Sequence, residues 1–116
     1  MRRGDLVTVA IGGDYGKPRP ALVIQADVFA GLPSVTVLRL TSEIHAEHLV
    51  RVTVSPTPEN GLRAPSQIMI DKAVTIPRVR IGRVIGHLDD ALMRTVGQAL
   101  AAFFGLDTTA MESGGA

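Results

Sequence analysis

The chain has 116 residues, is 46% hydrophobic, and balances 12 Lys and Arg against 11 Asp and Glu for a formal net charge of +1. That length suits one domain with an ordinary core. With no cysteine, disulfides, thiolate nucleophiles and Cys-ligated zinc are excluded, and with only four aromatic residues (Tyr15, Phe29, Phe103, Phe104) an RNA reader built on a sheet of stacked rings is not expected.

Met1-Arg2-Arg3-Gly4-Asp5 is not followed by an apolar run long enough for a signal peptide or a membrane span, so a cytoplasmic protein is expected. Leu6–Ile11 reads as a first strand, short and β-branched. Gly12-Gly13-Asp14-Tyr15-Gly16-Lys17-Pro18 is too rich in Gly and Pro for regular structure and lacks the GxxxxGK[ST] pattern of a phosphate-binding loop. Pro20–Gln25 is almost continuously apolar, which predicts a central strand buried on both faces. In a third strand, Ser34–Thr41, alternation puts Val35, Val37, Arg39 and Thr41 on one face, with Thr36, Leu38 and Leu40 on the other.

Leu49–Val54 is a fourth strand, and Ser55–Gly61 is a turn or surface loop. Ser66–Asp71 begins a fifth strand that extends or breaks towards Val74–Ile76 and ends at Pro77. Arg78–Ile81 predicts one short helical turn, and Arg83–Gly86 a last strand. A helix then starts at an Asp89 or Asp90 cap, with Leu92, Val96, Ala99, Leu100 and Phe103 in one apolar stripe, and stops at Gly105. Residues 1–106 are expected to form one domain and 107–116 a flexible tail. The class is mainly β with a C-terminal helix, arranged as a small barrel or strongly curved antiparallel sheet.

Classical chemical motifs are missing. His45 and His48 have metal-compatible spacing, but there is no HExxH pattern and no third ligand, so no metal site is expected and exposed loop histidines are the reading; His87 reads as structural. No GxSxG elbow is present. What remains is a spread of cations, including Arg2, Arg3, Lys17, Arg19, Arg39, Arg51, Arg63, Arg78, Arg80 and Arg83, suited to meeting phosphates if they share a surface.

Two segments carry a family resemblance. Arg3-Gly4-Asp5 with Gly12–Gln25, which includes Arg19-Pro20-Ala21-Leu22-Val23-Ile24-Gln25, resembles the opening of the MazF/PemK toxins, and Val37-Leu38-Arg39-Leu40-Thr41-Ser42 resembles their third strand. Gly61-Leu62, Ser66-Gln67-Ile68, Asp71-Lys72, Thr75-Ile76 and the Ile85–Leu100 ending follow in the same order, so the resemblance spans roughly residues 2–106.

The resemblance implies an SH3-like, CcdB-like barrel with a terminal helix. It also implies a homodimer that cuts single-stranded RNA at short sequences without a cofactor. Such a toxin is neutralised by a MazE/PemI-like antitoxin and meets operator DNA only through the antitoxin complex. The family's arginine falls on Arg19 and its Thr/Ser on Thr41; Asp71, Ser42 and His45 are auxiliary candidates. Tyr15, Lys17, Arg39, Arg78 and Arg80 are candidate RNA contacts. Met69 stands where some members carry an auxiliary arginine, Val74 where a basic residue is common, and Val7-Thr8-Val9 where an aromatic residue is common. Two other readings compete. A CcdB-type gyrase poison depends on a Trp-Gly-Ile ending, whereas this chain has no Trp and ends in Gly-Gly-Ala. The other is a module that binds antitoxin or operator but has no nuclease activity.

Overall fold

A computed structural model describes residues 1–10, 17–46 and 50–106. Six strands, β1 (Asp5–Val9), β2 (Arg19–Val23), β3 (Ser34–Thr41), β4 (Arg51–Val54), β5 (Ser66–Pro77) and β6 (Ile81–His87), precede a helix, α1 (Asp90–Phe103). The strands form one sheet in the order β4-β5-β3-β2-β1-β6, and every pair is antiparallel. The mainly-β class with a C-terminal helix is therefore observed. The sheet is curled rather than closed, with β4 and β6 as its edges.

The curl has a local cause. Register shifts interrupt β1–β6 pairing at Leu6/Val7 and Val7/Val9, and β3–β5 pairing between Leu38 and Leu40. Extra residues on one strand bend it and tighten its twist. At the β3–β5 irregularity, Leu38 pairs with Ala73 while Leu40 pairs with Ile68, so Met69–Lys72 stand against Arg39 alone. The fifth strand thus runs continuously through a bend where the sequence suggested a possible break.

Both faces of the sheet are buried. One carries Leu6, Leu22, Leu38, Leu40 and Ile68, covered by α1 through Val96, Leu92, Met93 and Leu100. The other carries Val7, Val9, Ala21, Val23, Val35 and Val37, with Ile76, Val74 and Ile81 packed against it. This two-sided burial is what the continuous apolar run of β2 requires. Asp89 caps α1 by accepting the Leu92 N–H at 2.8 Å. Gly105, at φ +69°, ends it: Leu106 N–H donates to the Ala101 carbonyl at 2.9 Å and Gly105 N–H to Ala102 at 3.2 Å. The expected turn after β5 is a 3-10 turn over Arg78–Arg80, and a second 3-10 turn, Asp27–Phe29, joins β2 to β3. The tail expected over 107–116 lies outside the described residues.

Candidate active site

The sheet register assembles the site. Val9 of β1 pairs with Arg19 of β2, Thr41 of β3 with Gln67 of β5, and Gln67 with Thr53 of β4. The β2–β3 ladder pairs Ala21 with Arg39, and extending it by two residues sets Arg19 opposite Thr41. Val9, Arg19, Thr41, Gln67 and Thr53 thus form one row across five strands. Side chains two apart on a strand share a face, so Arg39 lies on the same face as Arg19 and Thr41, one row further in. This is the sheet face away from α1.

Arg19 is exposed, and its guanidinium makes no hydrogen bond or ion pair among the described residues. Thr41 is half-buried. Its Oγ1 accepts the Glu43 N–H at 3.1 Å, a local turn at the strand end. With that lone pair engaged, the hydroxyl hydrogen is free to donate outward. An exposed, unpartnered cation and a hydroxyl with one lone pair engaged therefore stand in one row.

The other candidates are placed less uniformly. Lys17 is exposed and two residues before Arg19, and Arg39 is half-buried. Asp71 is half-buried within the β5 segment facing Arg39. His45 follows the end of β3; its backbone N–H donates to Gln67 Oε1 at 3.0 Å and its carbonyl accepts from Gln67 Nε2 at 3.1 Å. Ser42 lines a cleft of about 840 Å³ together with Thr8, Pro18, Pro20, Arg63 and Arg83, among others. Neither Arg19 nor Thr41 lines that cleft, because strand alternation turns their neighbours Pro18, Pro20 and Ser42 towards it.

Arg78 and Arg80 are not brought to this end. Ser34, at the start of β3, pairs with Pro77, so both arginines lie roughly 20–25 Å along the strand from Thr41. Arg78 is also engaged structurally: its Nε and Nη2 donate to the Leu32 and Ala30 carbonyls at 3.1 and 2.7 Å. Tyr15 and His48 lie outside the described residues. His87 is structural in fact, its Nδ1 3.0 Å from Asp5 Oδ1. Among the described residues, no cluster of three or more His, Asp or Glu is placed to hold a metal ion.

Sequence reasoning missed Gln67 as a neighbour of the site and named Arg51 only as one of many cations; Arg63 and Arg83 line the cleft on the other side of the strands. Gln67 had a signal: it is a long polar residue between Ser66 and Ile68 in a strand otherwise rich in apolar residues.

The family model for PemK-like, MazF-like toxins of type II toxin–antitoxin systems matches residues 2–104. The chain belongs to this family. It is 43% identical over 107 residues to a probable endoribonuclease MazF of Mycolicibacterium smegmatis, covering 91% of this chain and 98% of that protein. Endoribonuclease EndoA of Bacillus subtilis is 30% identical over 105 residues, covering 86% and 90%. Among solved structures, the Mycobacterium tuberculosis toxin MazF-mt6 superposes with a TM-score of 0.76 at 29% identity, over 89% of this chain and 98% of that one. The MazF-like fold is thus shared over nearly the whole chain, including the strands that carry Arg19 and Thr41.

Proposed function

We propose that this protein is a sequence-specific endoribonuclease toxin that cuts single-stranded RNA without metal, using Arg19 and Thr41. The observation that carries the reading is the Arg19–Thr41 row: an unpaired guanidinium in register with a hydroxyl that accepts the Glu43 N–H and keeps its own hydrogen to donate. The MazF and EndoA relatives, named as endoribonucleases, support RNA over gyrase as the target.

RNA carries its own nucleophile. The ribose 2′-oxygen attacks the adjacent phosphorus and the bond from phosphorus to the 5′-oxygen breaks. The 2′-proton leaves to a base, and the departing 5′-oxygen takes up a proton. The products are a cyclic phosphate and a 5′-hydroxyl, and no water is consumed. Negative charge gathers on the phosphate oxygens in the transition state. Arg19 offers that charge parallel N–H donors and stays protonated, which suits it to stabilise charge and disqualifies it as the base. A preorganised donor of this kind contributes about 3–4 kcal/mol. Thr41 adds a second, directed donor. His45 and Asp71 are the described candidates for the 2′-proton, and the pH–rate profiles of His45→Gln and Asp71→Asn separate them.

Selectivity for short sequences is assigned to the loops over 12–17 and 55–63, the second of which supplies Gly61, Leu62 and Arg63 to the cleft. A solved endoribonuclease in complex with its cognate antitoxin, from a mycobacterial species, shares the fold with a TM-score of 0.76. We extend such pairing to this chain: an acidic antitoxin segment over the Arg19 face would screen it from RNA. A homodimer and a cytoplasmic location belong to the same reading; no described helix is long and apolar enough to cross a membrane.

The test is incubation with a long unstructured RNA in excess EDTA. Cleavage that persists in chelator, leaves cyclic phosphate ends, and is lost with a 2′-deoxyribose at the scissile position supports the reading. Cleavage that stops in EDTA, or proceeds on the 2′-deoxy substrate, refutes it.

A further inference from the structure

We infer that Gln67 is a positioning residue for Thr41: together with Arg51 it clamps the backbone after β3 and so aims the Thr41 hydroxyl. The inference rests on the assignment of Thr41 to the RNA-cutting site.

Gln67 is 2% exposed, an unusual place for a primary amide. Its hydrogen-bonding capacity is filled. Oε1 accepts from His45 N–H at 3.0 Å and from Arg51 Nη1 at 3.4 Å, while Nε2 donates to the His45 carbonyl at 3.1 Å and to Thr53 Oγ1 at 3.1 Å. Two of these bonds go to the backbone N–H and C=O of one residue. The side chain thereby mimics a strand partner for His45, beyond the point where the β3–β5 ladder stops at Thr41–Gln67. Glu43 to His45 have no regular secondary structure, so no ladder holds them in place.

The clamp reaches Thr41 through Glu43. Arg51 Nη1 donates to the Glu43 carbonyl at 3.2 Å, and the Glu43 N–H donates to Thr41 Oγ1 at 3.1 Å. One guanidinium nitrogen thus ties Glu43 to the Gln67 amide, and Glu43 in turn fixes which Thr41 lone pair is occupied. Without Gln67 the segment keeps only the exposed Arg51 bond, and the Thr41 hydroxyl is free to turn among its rotamers. An apolar residue of similar size fills the space but leaves the His45 N–H and C=O unpaired.

The experiment combines Gln67→Leu with Thr41→Ala in the full-length chain, read by single-turnover cleavage of an RNA oligonucleotide spanning a mapped site. In the wild-type background, Gln67→Leu is expected to lower kcat about 10- to 100-fold with KM within about threefold, because the loss falls on transition-state contacts rather than on RNA binding. In the Thr41→Ala background the same change is expected to cost less than about twofold, since residues acting through one group are not additive. Amide exchange at His45, slow in the wild type, should become fast in Gln67→Leu. Gln67→Glu provides the second variant if Gln67→Leu does not fold; it keeps both acceptor contacts, loses the donation to the His45 carbonyl, and turns the Thr53 contact into one in which the hydroxyl donates, so an intermediate loss is expected. Equal fractional losses in the two backgrounds, unchanged His45 exchange, or full kcat in both Gln67 variants overturns the clamp. Full activity in Arg19→Ala and Thr41→Ala overturns the site assignment instead, while His45 exchange still reads the clamp itself.

Discussion

Arg19 sits at the start of β2 with its guanidinium in solvent, and Thr41 at the end of β3 with its hydroxyl oriented by the Glu43 N–H. Arg19→Ala is expected to slow cleavage by about 10²–10³, the cost of one preorganised donor, with little change in melting temperature because the side chain packs against nothing it must hold. Arg19→Lys keeps a charge but loses the planar fork and should recover only part of the rate. Single-turnover rates on one RNA oligonucleotide check both. Thr41→Ser retains the hydroxyl and should stay active, while Thr41→Val should not. Neither residue announces itself by type. A strand-initial arginine and a strand-terminal threonine are common for ordinary reasons, and only the ordered family resemblance singled them out. The supporting residues were less legible still. Gln67 acts through His45, 22 positions away in sequence, and no local pattern encodes that contact.

At the scale of elements, most of the fold was legible because apolar periodicity and turn residues carry it. The Asp89 cap, the Gly105 stop and the α1 stripe of Leu92, Val96, Ala99 and Leu100 follow from local rules, but Phe103, expected in that stripe, is 48% exposed because the helix runs past the sheet there. The bend in β5 does not follow from local rules, since it comes from a mismatch of register with β3 that only the paired strand reveals. The loop over 55–62 combines local side-chain bonds around Asn60 with a long-range seat on β6, where the His87 N–H donates to the Glu59 carbonyl at 2.8 Å. Asn60 is 3% exposed; its Oδ1 accepts from Thr57 N–H and Leu62 N–H, each at 3.0 Å, and its Nδ2 donates to the Ser55 carbonyl at 2.9 Å. Gly61 follows at φ +69°, and a Cβ there would meet the Ile85 carbonyl oxygen. Gly61→Ala is therefore expected to destabilise the protein by about 1–3 kcal/mol, combining a left-handed backbone with a clash. Asp89→Ala should cost about 1 kcal/mol through loss of the cap. Denaturant unfolding measures both, and a Gly61→Ala protein as stable as wild type would contradict the loop geometry.

The whole molecule joins its first strand to its last through Asp5 and His87. Burial pushes the Asp5 carboxyl up. The hydrogen bond from His87, the Arg2 N–H, and the charges of His87 and the N-terminus outweigh it, leaving Asp5 below its ordinary 3.8. A lowered acid contributes stability above its unfolded-state value and loses it as pH falls through the folded one. Asp5→Asn should therefore destabilise the protein at neutral pH, and the difference from wild type should shrink below about pH 4; a gap that stays constant down to pH 2 would contradict the linkage. Activity depends on the molecule as a cation-bearing surface as well. RNA affinity should fall with added salt, as expected when Lys17, Arg19 and their neighbours release counterions from phosphates. The central claim is metal-free cleavage by the Arg19–Thr41 row. Its most direct test is the single-turnover cleavage rate of one 2′-hydroxyl-bearing RNA in excess EDTA, measured for wild type and for folded Arg19→Ala. The account predicts full wild-type activity in chelator and a loss of about 10²–10³ in Arg19→Ala; equal rates for the two proteins, or no cleavage by wild type in EDTA, would contradict it.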